Sequence, residues 1–184
     1  SAASDVYKRQ VQASIIGYWL MIGSTDTRVL GWIEAFKQHD PDNMLGYCYA
    51  AFYHMKIGNM EVALRELDAA AAHGVFSDYV IERWDLLSRF AQDAGWSEVE
   101  ATGMGFTTVE LPYGGMVREL AREFTAEAQR LADAGDAAAG LELCEQLRQV
   151  GRTLANSGSG VLIDELVGMA VETTALDTER ALAQ

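Results

Sequence analysis

Gly58-Asn59-Met60-Glu61-Val62-Ala63-Leu64 decides how this chain folds. Gly58 tolerates the left-handed conformation in which helices end. Asn59 supplies a side-chain oxygen that caps the next helix. Upstream, Met44 to Ile57 is apolar nearly all round, through Tyr47, Cys48, Tyr49, Ala50, Ala51, Phe52 and Tyr53. A helix of that kind sits in a core or lines a groove. Downstream, Met60 to Ala72 is a second helix, ended by Gly74. Together they form a helical hairpin, and Ala63 is small where its two arms must touch.

The same layout occurs one period earlier. Gln10 to Asn43 and Met44 to Ser77 are equal segments of 34 residues. Val11 to Ile22 reads as a helix, and Gly23-Ser24-Thr25-Asp26 as a turn that caps the next. Thr27 to His39 places Val29, Leu30, Ile33 and Phe36 at helical spacing. Pro41 stops that helix, because proline cannot continue the hydrogen-bond ladder. Asp42 or Asn43 then caps the third helix.

Beyond the two segments, a fifth helix opens at Ser77 or Asp78 and runs to about Ala94, with Tyr79, Trp84, Leu87 and Phe90 as its apolar contacts. Ser97-Glu98-Val99-Glu100 fits a capping box, which predicts a short sixth helix. Gly103 to Gly115, with Pro112 inside it, reads as an ordered loop joining two helical halves. Met116 to Ala134 is a long helix with Leu120, Phe124, Ala128 and Leu131 inward. Gly135-Asp136 repeats the Gly58-Asn59 turn, and Ala137 to Asn156 answers as the second arm. Ser157-Gly158-Ser159-Gly160 is a short hinge. Val161 to about Leu182 is a last helix, with Leu162, Leu166, Met169, Ala170 and Leu176 expected inward.

Repeats of this period signal stacked helix pairs. Gly17 and Val29 take the two small positions in the first segment, and Ala51 and Ala63 take them in the second. Tyr47 is the large residue near the start of the second segment, and Pro41 closes the first. On these residues the chain resembles the tetratricopeptide family. Ala13 and Val75 depart from the pattern, standing where that family has a large residue and a closing proline. The resemblance is strongest over residues 44–74, holds more loosely over 10–43, and returns in outline from Ala121 to Leu154. There Ala128 and Gly140 take the small positions and Gly135 the turn.

The resemblance implies an all-α fold of antiparallel helical hairpins, here with extra C-terminal helices. It also implies a scaffold that binds a peptide or partner helix rather than an enzyme. Family members bind through the inner face of the first helix of each pair. By position that face holds Val11, Ser14, Tyr18 and Met21, then Leu45, Cys48, Tyr49, Phe52, Met55 and Lys56. Tyr18, Met21, Tyr49, Phe52, Met55 and Lys56 are the candidate partner-binding residues. Aromatics and methionine make adaptable contacts, and Lys56 offers a charge to a carboxylate. The competing reading is that these side chains are core.

Residues 1–10, Ser1 to Gln10, resemble translated sequencing-adaptor read-through. We therefore expect a tail foreign to the protein, a missing natural N-terminus and an unreadable localisation. Residues 11–184 are expected to form one all-α domain: two hairpins over 11–77, a helix and connector over 78–115, and a three-helix half over 116–184.

Composition narrows the function. The chain has 184 residues, 49% of them hydrophobic and 22% charged, as a globular protein requires. A net charge of −13 repels phosphate backbones, so nucleic acid is not an expected partner. Ile15 to Ile22 is too short to span a bilayer, which needs about 20 apolar residues. Cys48 and Cys144 are expected as buried free thiols. His39, His54 and His73 form no zinc or di-iron motif. His54 is expected to be structural. Gly103-Met104-Gly105 is no dinucleotide fingerprint. Asp164-Glu165 and Glu172 read as a solvated acidic face. Trp19, Trp32, Trp84 and Trp96 read as core or interface anchors. No catalytic residue, metal or cofactor is expected. Self-association through exposed apolar surface is the main alternative, and a small-molecule pocket near residues 103–115 a further one.

Overall fold

The structure is a computed structural model that describes residues 2–108, 112–157 and 161–183. Among the described residues the chain is all-α and holds nine helices. They are α1 (Ala2–Met21), α2 (Thr27–His39), α3 (Met44–Lys56), α4 (Met60–Ala72), α5 (Val80–Asp93), α6 (Glu98–Thr108), α7 (Pro112–Asp133), α8 (Ala137–Ala155) and α9 (Leu162–Leu182). Helices adjacent in sequence pack as pairs joined by short turns, an arrangement compatible with a helical repeat.

Local chemistry sets these ends. Asp26, Asn43, Asn59 and Asp136 each accept a backbone N–H from the first turn of the helix that follows. Gly58 and Gly135 end their helices at φ 77° and 96°, a region where a side chain is strained. Ser97 and Glu100 form the capping box reciprocally: Glu100 accepts the Ser97 N–H at 3.0 Å, and Ser97 Oγ accepts the Glu100 N–H at 3.4 Å.

The two 34-residue segments meet at their last residues. Asn43 is buried, donates Nδ2–H to the Ser77 carbonyl at 2.8 Å, and accepts the Ser77 N–H at 3.2 Å. Equivalent positions of successive segments are thereby tied together, with Met44 N–H donating to Val75 O at 2.8 Å beside them. The same Asn43 amide also donates to Asp40, and the Tyr79 hydroxyl donates to Asp40 as well. Tyr79 holds a left-handed φ of 58°, and its buried ring packs edge-on against Phe36.

The core runs continuously from α1 through α4 into α7, α8 and α9, and includes Ile16, Phe36, Tyr49, Leu67, Phe124 and Leu147. Gly17, Val29, Ala51 and Ala63, the small positions of the two segments, are all buried. In the α7–α8 pair, Gly140 lies so close to α7 that a Cβ there would be 2.6 Å from the Ala128 carbonyl oxygen. Cys48 and Cys144 are buried and free, and burial pushes the Cys48 thiol up to about 12.

Four expectations are corrected. First, α1 begins at Ala2 rather than Val11. Second, the stretch read as a loop from Gly103 is helical through Thr108, and α7 starts at Pro112. The capping box starts α6, buried Ala101 anchors it, and Trp84 Nε1–H donates to the Thr102 carbonyl at 3.1 Å. Pro112 suits a first helical position because its missing N–H is not needed there. Residues 109–111 and the hinge at 158–160 lie outside the described residues. Third, α5 starts at Val80, and Phe90 is 70% exposed rather than inward. The reason is that α5 and α6 pack chiefly on each other.

Fourth, α9 turns the opposite face inward. Leu162, Leu166, Met169 and Ala170 are exposed, Leu176 is half-buried, and the buried face is Asp164, Val167, Gly168, Val171 and Ala175. Gly151 of α8 and Gly168 of α9 let the two backbones touch. The atoms gained in that contact outweigh what the bulkier face could bury at a greater helix separation.

Candidate functional site

The structure divides the six candidate partner-binding residues. Tyr49 and Phe52 are 2% and 3% exposed, so they are core residues and not groove contacts. Tyr49 donates its hydroxyl to the Ala13 carbonyl at 3.0 Å, which ties α3 to α1. Met55 is half-buried against the core. Lys56 holds its ammonium 5.0 Å from the centre of the Phe52 ring and pairs with Glu119 of α7. The physical reason is α7: it packs on both α1 and α3 and fills the inner side the resemblance implies as open. Leu45 and Cys48 are buried as well.

Tyr18 and Met21 remain outside, 51% and 53% exposed. Tyr18 belongs to an apolar stripe on the outer face of α1, and Met21 flanks it. Val11, Ile15, Tyr18 and Ile22 recur at helical spacing and are all exposed, while Ala13, Ile16, Gly17 and Leu20 fill the core side. Beside the stripe, Trp19 meets the half-exposed Trp32 of α2 edge to face, with ring centroids 6.0 Å apart.

The interior also holds a polar cluster that sequence reasoning missed. Asp164, read as part of a solvated acidic face, is 0% exposed in the first turn of α9. Tyr113 of α7, itself buried, donates its hydroxyl to it. Asp78 lies close enough to raise the Asp164 pKa and is also buried. Its Oδ1 accepts the Val80 N–H at 2.9 Å, and its Oδ2 has no hydrogen-bond partner among the described residues. Arg83 lies near Asp78 and donates to Ser14 Oγ at 2.7 Å, linking α5 to α1. Ala13, Ser14, Tyr49, Asp78, Arg83 and Tyr113 enclose a cavity of about 10 Å3, room for about one water. No sequence signal distinguishes Asp164 from Glu165, its exposed neighbour.

Burial pushes Asp164 up to about 7, and the charges of Asp78 and Glu165 push the same way. Burial raises Asp78 too, against the Val80 N–H and Arg83, which lower it. The folded chain therefore holds a proton on Asp164 that the unfolded chain has already released. Stability should fall as pH rises from 3.8 to about 7 and then level off. In Asp164→Asn this slope should be shallower, with a remainder from Asp78. Urea unfolding across that pH range measures it, and an unchanged slope would remove Asp164 from the account.

His54 is half-buried, stacks edge-on with Tyr53, and leaves Nδ1 without a hydrogen-bond partner among the described residues. No group of three or more His, Cys, Asp or Glu side chains among the described residues is placed to hold a metal ion. Among the same residues no helix is long and apolar enough to cross a membrane. Compared with protein families, curated proteins and solved structures, the chain has no match in any of the three.

Proposed function

We propose that the chain is a tetratricopeptide-like, non-enzymatic interaction scaffold that seats an apolar partner helix or peptide on the outer face of α1. One observation carries this reading: Val11, Ile15 and Tyr18, continued by Ile22 just past the end of α1, form an exposed apolar stripe directly opposite the core face of that helix. A helix that is apolar on both faces gains by burying the second, at roughly 25 cal/mol per Å2 of apolar surface. Tyr18 and Met21 are exposed, but away from the inner face that the family resemblance implies, and the Trp19–Trp32 pair borders them. The net charge of −13 opposes pairing of two copies and favours a basic or neutral partner.

Peptide display against the folded chain tests the proposal. Selected sequences should carry apolar residues at helical spacing, since that pattern fits such a stripe. Ile15→Glu combined with Tyr18→Glu should weaken their binding by roughly tenfold or more while the unfolding free energy stays within about 1 kcal/mol. Equal binding to the variant would reject the site. A concentration-dependent dimer abolished by the same pair of changes would transfer the stripe to self-association.

A further inference from the structure

A half-open cavity of about 340 Å3 lies between α7 and α9. Its size falls at the lower end of small-molecule sites, which run from about 300 Å3 upward. Ala121, Ala170 and Val171 give it small apolar walls, and Arg118 and Arg122 stand at its edge. Their spacing places both guanidinium groups on one face of α7. Among the described residues no carboxylate lines the cavity.

The charge environment makes this pair exceptional. The chain carries 27 acidic and 14 basic side chains, so anions outnumber cations nearly two to one. Among the described residues every other lysine and arginine engages a partner. Arg118 and Arg122 have no ion pair or hydrogen bond from their side chains among those residues. Two like charges one helical turn apart repel, so leaving both unpaired beside a cavity disfavours the empty state. Glu119, next to Arg118 in sequence, is turned away to pair with Lys56.

Gly115 adds an independent observation. Its neighbour Gly114 packs against Val167, with 3.4 Å to a built Cβ. A Cβ on Gly115 would meet nothing within 4 Å, yet Gly115 lines the cavity. Packing does not require glycine there. Its absent side chain leaves the cavity open in the first turn of α7, at the positive end of the helix dipole.

We infer that the α7–α9 groove binds a small phosphate monoester, its dianionic head held by Arg118 and Arg122 and a short apolar stem lying against Ala121, Ala170 and Val171. Two guanidinium forks match a doubly charged head, whereas a single carboxylate leaves one of them unneutralised. The inference is independent of the α1 reading.

Isothermal titration with hexyl phosphate, inorganic phosphate and hexanoate tests it. Hexyl phosphate should bind saturably at one site per chain, and more tightly than either of the other two. Arg118→Gln with Arg122→Gln should weaken it at least tenfold with no loss of stability, since both side chains are exposed. Gly115→Leu keeps both arginines but fills the groove. It should weaken hexyl phosphate and spare inorganic phosphate. Unchanged affinity in the arginine variant, or no saturable binding of hexyl phosphate, overturns the site. Equal affinity for inorganic phosphate overturns the stem, and tighter hexanoate binding overturns the assignment of the head.

Discussion

Gly168→Ala is expected to lower the unfolding free energy by about 3 kcal/mol, at the upper end of what overpacking a core costs. A Cβ at Gly168 would sit 2.5 Å from both the Ala155 nitrogen and the Gly151 carbonyl oxygen, and 2.8 Å from the Ala155 Cβ. Two of these three atoms are backbone, so no rotamer change relieves the clash. The helices must separate, which loosens the packing of α8 on α9 as a whole. Alanine's better helix propensity returns at most about 1 kcal/mol. For a chain of this length the melting temperature should drop by roughly 6–12 °C. Gly31→Ala provides the control. Gly31 lies within α2, and a Cβ there meets nothing within 4 Å, so stability should rise by about 0.5–1 kcal/mol. If Gly168→Ala proves as mild as Gly31→Ala, the close packing of α8 on α9 is wrong.

Phe52→Ala is expected to lower stability by about 3–5 kcal/mol, the range for deleting a buried aromatic ring. Phe52 is 3% exposed, and its ring also supports the Lys56 ammonium that reaches Glu119 on α7. The change therefore leaves a cavity under the α3–α7 contact and loosens the ion pair above it. That pair is partly exposed and contributes little by itself. Tyr18→Ala, on the outer face of α1, should change stability by less than about 1 kcal/mol. Guanidinium unfolding of the two variants separates core from binding surface. A Phe52→Ala chain as stable as the parent would mean that α7 does not cover α3, and would restore the open inner face that the repeat pattern implies.

Much of the fold was legible because it is decided within a few residues. The Gly58-Asn59 and Gly135-Asp136 turns, the capping box at Ser97 and the stop at Pro41 act through local hydrogen bonds and backbone dihedrals. Each lies where its residue types require. The buried stripe Leu120, Phe124 and Ala128 was legible in the same way, because α7 has clearly different faces. The candidate site was legible only in part. Tyr18 and Phe52 occupy equivalent positions of the two segments, and nothing in those segments says that one is covered and the other is not.

The sequence by itself determined that the chain is helical, where most of its helices turn, and which small residues let paired helices approach. Those choices depend on neighbours one turn away. Tertiary structure alone decided three other matters. It folded α7 across α1 and α3, which converted Tyr49 and Phe52 from candidate contacts into core. It brought Gly151 against Gly168, so that α9 buried its small face and left Leu162, Leu166 and Met169 outside. It enclosed Asp164 with Tyr113 and Asp78, residues 51 and 86 positions away in the chain, raising a carboxyl pKa that looked ordinary in sequence. The reason is the same in each case. Burial depends on what packs over a residue, and what packs there comes from parts of the chain that local pattern does not connect to it.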